Sequence, residues 1–294
     1  MSIFLQQMVN GLSLGATYAV FAMGCTLVFG VLNVVNMAQG AFFMAGAYLG
    51  LEIALMGLPL PVAFLGAIVA GGVLGVLTEL LIFRTIKRRG GHRWMGLVAS
   101  LALARGLVAC AQELFGTQIR RYPTIEWLSV SFDVAGVRFQ SIQLLIAGLS
   151  LLLMAALAIT LRRTAIGRAI RTVAFGEDVA QIVGVPVNRT IMATFFLAGG
   201  MAGGAGLLLG ILFNVVSPFM GEHMLVKGLT VMIIGGLGNI PGAVIGGLLL
   251  GLIEVVSTAY VASSFRDAIG FGLIFLILLF RPTGLFRSFE ERRA

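Results

Sequence analysis

The first 51 residues of this chain contain no Asp, Glu, Lys or Arg. Across all 294 residues only 11% are charged while 59% are hydrophobic, and the mean hydropathy is +1.04. Soluble domains run nearer a quarter charged and half apolar, so a chain this poor in charge is expected to fold in lipid. Cysteine and histidine are equally scarce, two of each. Cys25 and Cys110 stand alone in apolar stretches, without the spacing of a disulfide framework or a zinc site, and read as small hydrophobes in helix packing. With His92 and His223 in loops or at span ends, no Ser/His/Asp or Cys/His constellation forms. Neither a metal site nor an intramembrane hydrolase is expected. No GxxxxGK[ST] loop occurs, so the chain is not expected to hydrolyse ATP itself. The N-terminus has no basic n-region and no clear small-residue cleavage site, so no removable signal peptide is expected.

Apolar sequence of membrane-spanning length is what the chain has in abundance. Spans read as 5–30, 33–56, 60–83, 95–115, 140–161, 190–213, 225–238, 241–257 and 267–280. The expected fold class is an all-α polytopic membrane protein, one transmembrane domain over 1–294, with about 8–10 helices including short or broken ones. One stretch departs from the helical pattern: 116–139, "GTQIRRYPTIEWLSVSFDVAGVRF", where alternating Val130, Phe132 and Val134, then "AG", then Val137 and Phe139 predict a small β-hairpin.

Charge is clustered. Fourteen of the twenty Lys and Arg fall in Arg84–Arg93, Arg162–Arg189 and Arg281–Arg293. An excess of basic residues marks loops that stay in the cytoplasm, which places these three inside with the C-terminus. The hairpin then lies outside as a cap, with Tyr122 and Trp127 near the lipid interface. A nucleic-acid patch is the rival reading of basic clusters; each here is a short hinge between apolar spans, so no nucleic-acid partner is expected.

Small residues recur four apart, at Gly71 and Gly75, Gly199 and Gly203, Gly200 and Gly204, Gly242 and Gly246, and Gly247 and Gly251. This spacing lets helix backbones approach closely in lipid. A short internal echo joins "LNVVNMAQG" (32–40) to "FNVVSPFMG" (213–221), and transporters are often built from repeats. The octamer "GGLGNIPG", with Gly235, Gly236, Gly238, Asn239, Pro241 and Gly242, breaks the last apolar block. It has no preceding strand and so is no dinucleotide fingerprint. Two readings stand for it: a helix break lining a pathway, or a plain cytoplasmic turn.

Ionisable groups inside spans are functional candidates. Glu52 and Glu113 lie near span ends, Glu79 is one turn from Arg84 and is expected to pair with that cluster, and Glu254 is the deepest, either a proton relay or a partner across helices. The loop Arg162–Arg189 is expected to carry a helix from about Arg168 to Val183, stopped by Gly184 at the C′ position and Pro186 beyond. Its adjacent acids Glu177 and Asp178 favour docking of a soluble partner over lying on anionic lipid. In the opening stretch, "NVVNMAQGAFF" (33–43), steps of three, four and seven put Asn33, Asn36, Gly40 and Ala47 on one helix face, with Gln39 beside it. Uncharged amides there either bind a polar solute or bond neighbouring helices.

Three stretches, "NGLSLGATYAVFAMGCTLVFGVLNVVNMAQGAFFMAGAYLG" (10–50), "GRAIRTVAFGEDVAQIVGVPVNR" (167–189) and "GLTVMIIGGLGNIPGAVIGG" (228–247), resemble bacterial branched-chain amino acid ABC transporter permeases of the H type. The resemblance covers essentially the whole chain. It implies a permease subunit of an importer in the bacterial cytoplasmic membrane. Its partners would be a second homologous permease, two cytoplasmic ATPase subunits and a periplasmic solute-binding protein. ATP would be used by those partners and no cofactor bound by this chain. It also implies that Arg168, Arg171, Glu177, Asp178 and Gly184 belong to the element coupling the permease to an ATPase. Asn33, Asn36, Gln39 and Gly40 would line or gate the solute path. Gln39 stands where the resemblance leads one to expect histidine, and an amide hydrogen-bonds without titrating. Two alternatives are kept: the same kind of subunit for urea, short amides or another small polar solute, and a stand-alone secondary carrier or channel.

Overall fold

The computed structural model describes residues 2–123, 131–134, 137–260, 270, 272, 275, 279–281 and 284–286. Most of the predicted span 267–280, the basic tail past 286, Trp127, Val130 and the hairpin's turn at 135–136 lie outside the described residues. Within them the chain is an all-α polytopic membrane protein with one two-stranded sheet. Six helical stretches are long and apolar enough to cross a membrane, among them Phe4–Leu32, Leu60–Arg88, Val187–Phe213 and Ile240–Tyr260.

Helix α1 (Ser2–Leu32) is apolar on every side, and such a helix belongs in the interior of a bundle. It stops because Asn33 turns left-handed at φ 52°, a conformation Asn tolerates better than most residues. The break 33–38 corrects the expected helix face, since Asn33 and Asn36 are not helical. Helix α2 (Gln39–Leu55) follows. Helix α3 (Leu60–Thr78) runs through a π-helical turn, Glu79–Phe83, into α4 (Arg84–Arg88). Helix α5 (Arg93–Phe115) leads to the hairpin, β1 (Ser131–Val134) pairing antiparallel with β2 (Val137–Gln140), Phe132 opposite Phe139. Helix α6 (Ser141–Arg163) returns to α7 (Ala165–Phe175) and α8 (Glu177–Ile182). The expected single loop helix is therefore two, separated at Gly176. Helices α9 (Val187–Phe213), α10 (Met220–Gly235) and α11 (Ile240–Tyr260) follow.

The short echo between 32–40 and 213–221 extends into three dimensions. Asn214, φ 50°, ends α9 as Asn33 ends α1, and among the described residues these two are the non-glycine residues with positive φ. Each is followed by a short irregular segment and a short helix, then a longer helix with Pro at its second position, Pro61 in α3 and Pro241 in α11. Exchanging α1, α2 and α3 for α9, α10 and α11 maps each contact onto another: α1 packs on α11 as α9 does on α3, α10 on α1 as α2 does on α9. Helix α1 runs from the hairpin end, where Gln143 donates to Asn10, to the α7–α8 end; α9 runs the opposite way, to the hairpin-end bridge Arg120–Val216. The two halves are inverted repeats.

Glycines hold the halves together, as their spacing suggested. A Cβ on Gly71 would run into the Gly199 carbonyl, on Gly203 into that of Ala67, and on Gly251 into the backbone of Gly15. We expect Gly71→Val or Gly203→Val to lower the thermal unfolding midpoint of the detergent-solubilised protein, at about 1–3 kcal/mol for a forced overlap. Gly106→Ala, facing open space, should leave it within about 0.5 kcal/mol.

Candidate functional site

Helices α2 and α10 have 17 and 16 residues, about 25 Å at 1.5 Å per residue and shorter than a roughly 30 Å hydrocarbon core. Both begin inside the bundle. Gln39 Nε2 donates to the Ala198 carbonyl at 2.7 Å, and lies where a Cβ on Gly24 would be 2.9 Å from it. Gly24 precedes the end of α1 by eight residues and Ala198 follows the start of α9 by eleven, so Gln39 sits about 12–16 Å in from the α7–α8 end. Gly40 lies against Gly221 with no room for a Cβ on either. Two equivalent helix N-termini therefore meet, backbone to backbone, at mid-depth.

The amides share the work of building this crossing. Asn36 Oδ1 accepts from the Ala38 N–H at 3.0 Å, an Asx-turn that starts α2. Ser100 of α5 accepts from the Met37 N–H at 3.1 Å. Asn36 Nδ2 and Gln39 Oε1 are buried and have no hydrogen-bond partner among the described residues. Buried polar atoms are rarely left so, and these two present one donor and one acceptor beside the crossing. Asn33 is partly exposed at the end of α1.

Other predicted residues fall elsewhere. Gly236 (φ 94°) and Gly238 (φ 77°) make a turn between α10 and α11, closed by the Gly242 N–H donating to Asn239 Oδ1 at 3.1 Å. Gly235 and Gly242 touch backbone to backbone, Pro241 opens α11, and Gly238 faces Gly30 near the end of α1. The octamer is a tight turn at the bundle's end and not a break at mid-depth. On the loop, Glu177 is paired with Lys87 of α4, and Arg171 donates to the Leu161 carbonyl. Arg168 and Asp178 are exposed and Glu177 is half-buried. Gly184 takes the C′ role at φ 77°, with the Val185 N–H on the Ala180 carbonyl at 2.8 Å. Helix α7 buries Ile170 and Val173, while Phe175, Val179, Ile182 and Val183 are exposed beside the acids.

The remaining acids are paired or differ from expectation. Glu254 is buried, accepting from the Tyr18 hydroxyl at 3.2 Å and lying 3.3 Å from Lys227 Nζ, so it is a partner across helices. Glu52 pairs with Arg120. Glu79 is buried and makes no ion pair with Arg84 among the described residues, while Lys87 pairs with Glu177. Tyr122 does not lie at a lipid interface: it is buried against Gly210, its hydroxyl donating to the Ala47 carbonyl at 2.8 Å, and burial pushes its phenol up. Reasoning from sequence weighed only acids within spans and so passed over Lys227 and Arg105, both visible as single cations in apolar runs.

Inverted halves that meet through short helices starting at mid-depth are the architecture of a membrane transport protein. The profile of the branched-chain amino acid transport system / permease component family matches residues 7–279, and the chain belongs to that family. It is 33% identical to the high-affinity branched-chain amino acid transport permease LivH of Escherichia coli K12, over 96% of this chain and 95% of that protein. The same figures hold for BraD of Pseudomonas aeruginosa. A metal-chelate type ABC transporter solved in an inward-facing conformation overlaps 94% of this chain and 85% of that one, at 18% identity and a TM-score of 0.48, too distant to fix the fold.

Gln39→Leu removes one cross-helix hydrogen bond, a loss of at most about 1.7 kcal/mol in lipid. We expect it to leave the protein folded and co-purifying with its partners while solute uptake falls. Uptake that falls only in step with lost assembly would assign Gln39 to helix packing alone.

Proposed function

We propose that this chain is one of two different permease subunits in an ATP-driven importer of branched-chain amino acids in the bacterial cytoplasmic membrane. The observation that carries this reading is the near full-length similarity to LivH and BraD, joined to an exposed apolar and acidic surface on α7–α8 at one end of the bundle. The basic clusters Arg84–Arg93 and Arg162–Arg189 support a cytoplasmic position for that end and for the C-terminus. The hairpin end faces the periplasm and receives the loaded binding protein.

Two cytoplasmic ATPase subunits, one against this chain and one against the second permease, supply the work. Phe175, Val179, Ile182 and Val183 insert into an ATPase surface and Asp178 sets its register, with Arg168 and Arg171 at the edge. Glu177, tied to Lys87, carries movement of the seated helices to α4 and through the π turn to α3. Helix α3 is locked to α9 by glycine contacts, so motion at the loop reaches the Gly40–Gly221 crossing through continuous rigid elements. Asn36 and Gln39 give the passing solute hydrogen bonds without a titrating group.

The test is reconstitution. Proteoliposomes holding the two permeases without ATPases should take up no leucine under an ion gradient, and uptake by this chain alone would mark it as a carrier. Ile182→Asp together with Asp178→Lys should leave the permease folded but reduce ATPase co-purification and ATP-driven uptake at least tenfold. Undiminished uptake in that variant would refute the docking assignment.

A further inference from the structure

Near the middle of α5 stands Arg105, in a helix of membrane-spanning length and composition. Its side chain is 63% exposed on the isolated chain. An arginine left at that depth in hydrocarbon costs about 2.5–3.5 kcal/mol by insertion scales and more by other measures. Something other than lipid must therefore cover it. Its partner is Glu222, in the first turn of α10, one residue past the Gly221 that meets Gly40. Glu222 is itself 40% exposed, so the ion pair is open on one side.

The pair borders a partly open cavity of about 230 Å³ lined by α2, α5 and α10. Gly40 and Gly221 form part of its wall, and Met37, Ala41, Met44, Leu101, Val108 and Leu225 supply apolar surface. Sites for drug-sized ligands run roughly 300–1,000 Å³, so this space suits something smaller. It offers one cation, one anion and an aliphatic wall.

We propose that this cavity is a binding site on the permease itself for a zwitterionic amino acid with an aliphatic side chain, its carboxylate on Arg105 and its ammonium on Glu222. The inference rests on the importer reading and goes beyond it by naming the residues that grip the solute. Guanidinium matches a carboxylate in a bidentate fork, and Glu222 is an acceptor for three ammonium donors. Binding exchanges the Arg105–Glu222 pair for two pairs to the solute, so no net charge is added to the membrane interior. A solute with only one of the two charges leaves a protein charge unpaired at depth, which is strongly unfavourable. Neutral amides such as urea satisfy neither charge. The open side of the pair is the side from which the second permease subunit completes the enclosure.

The experiment uses the whole complex in detergent, without the binding protein, and measures saturable binding of radiolabelled leucine. Three probes are compared: leucine, leucinamide, which lacks the carboxylate, and 4-methylpentanoate, which lacks the ammonium. Arg105→Met should weaken leucine binding at least tenfold and tighten leucinamide binding, because Glu222 is freed for the ammonium and no guanidinium is left unpaired. Glu222→Gln should weaken leucine at least tenfold and tighten 4-methylpentanoate, because Arg105 is freed for the carboxylate and no carboxylate of the protein is left unpaired. Equal leucine binding by wild type and Arg105→Met, or no leucine binding by wild type, overturns the site. If Arg105→Met fails to assemble, the charge-swapped pair Arg105→Glu with Glu222→Arg decides. Restored assembly with wild-type leucine binding makes the pair purely structural and overturns the site; restored assembly with weakened binding supports it. Absence of ATP-driven uptake of any solute by the wild-type complex would strike the importer reading, whereas normal leucine uptake by Arg105→Met strikes this site alone.

Discussion

The contact of Gly40 with Gly221 is the constraint from which the rest follows. Lipid offers no hydrogen bonds, so backbone that leaves a helix at membrane depth must be enclosed by protein or line a cavity. Helices α2 and α10 both begin at such a depth, and each brings a set of unsatisfied N–H groups with it. Close approach of the two starts is what encloses them, and any side chain at either glycine would prevent it. Asn33 and Asn214 turn the chain back into the bundle, and the segments 34–38 and 215–219 carry it to the meeting point. The long helices α1 and α9, among the most buried of the spans, brace that point from both sides.

An inverted pair of halves has a mechanical consequence. The crossing is equidistant from the two ends in the sense of the repeat, so a tilt that opens one side closes the other. One end bears the hairpin, and there the chain after α5 is held by the Arg120–Glu52 and Tyr122–Ala47 contacts. The other bears α7–α8, tied to α4 through Lys87 and Glu177. Interfaces made of glycine against backbone have little side chain to rearrange, so they transmit rigid-body motion instead of absorbing it. Polar groups lie beside the crossing, unpaired on Asn36 and Gln39 among the described residues and open at Arg105 and Glu222.

Composition and basic clusters were enough to read membrane class, most span positions, the hairpin and the Gly184 stop, because each depends on local chemistry alone. The amide stretch was harder. Spacing put Asn33 and Asn36 on a helix face, but the left-handed turn at Asn33 depends on what packs around it, and periodicity carries no sign of that. The nine-residue echo was legible and its meaning was not, since the repeat lives in helix contacts and in the two Asn φ angles. Glycine spacing pointed correctly to close packing without naming partners. Arg105 escaped notice for a different reason: attention to acids left a lone cation in "LALARGLVAC" unweighed, although its charge in an apolar run was a sufficient signal. Tyr122 looked like an interfacial aromatic, and the Ala47 carbonyl that buries it is 75 residues away in sequence.

The central claim is that the two halves are inverted about the Gly40–Gly221 crossing. Single cysteines at the equivalent positions Val34 and Val215, in a chain with Cys25 and Cys110 replaced by alanine, test it most directly. Each is challenged with a membrane-impermeant maleimide in right-side-out and inside-out vesicles. The inverted arrangement requires the two cysteines to label from opposite faces, which in the proposed orientation means Val34→Cys from the cytoplasmic face and Val215→Cys from the periplasmic face. Labelling of both from the same face would contradict it.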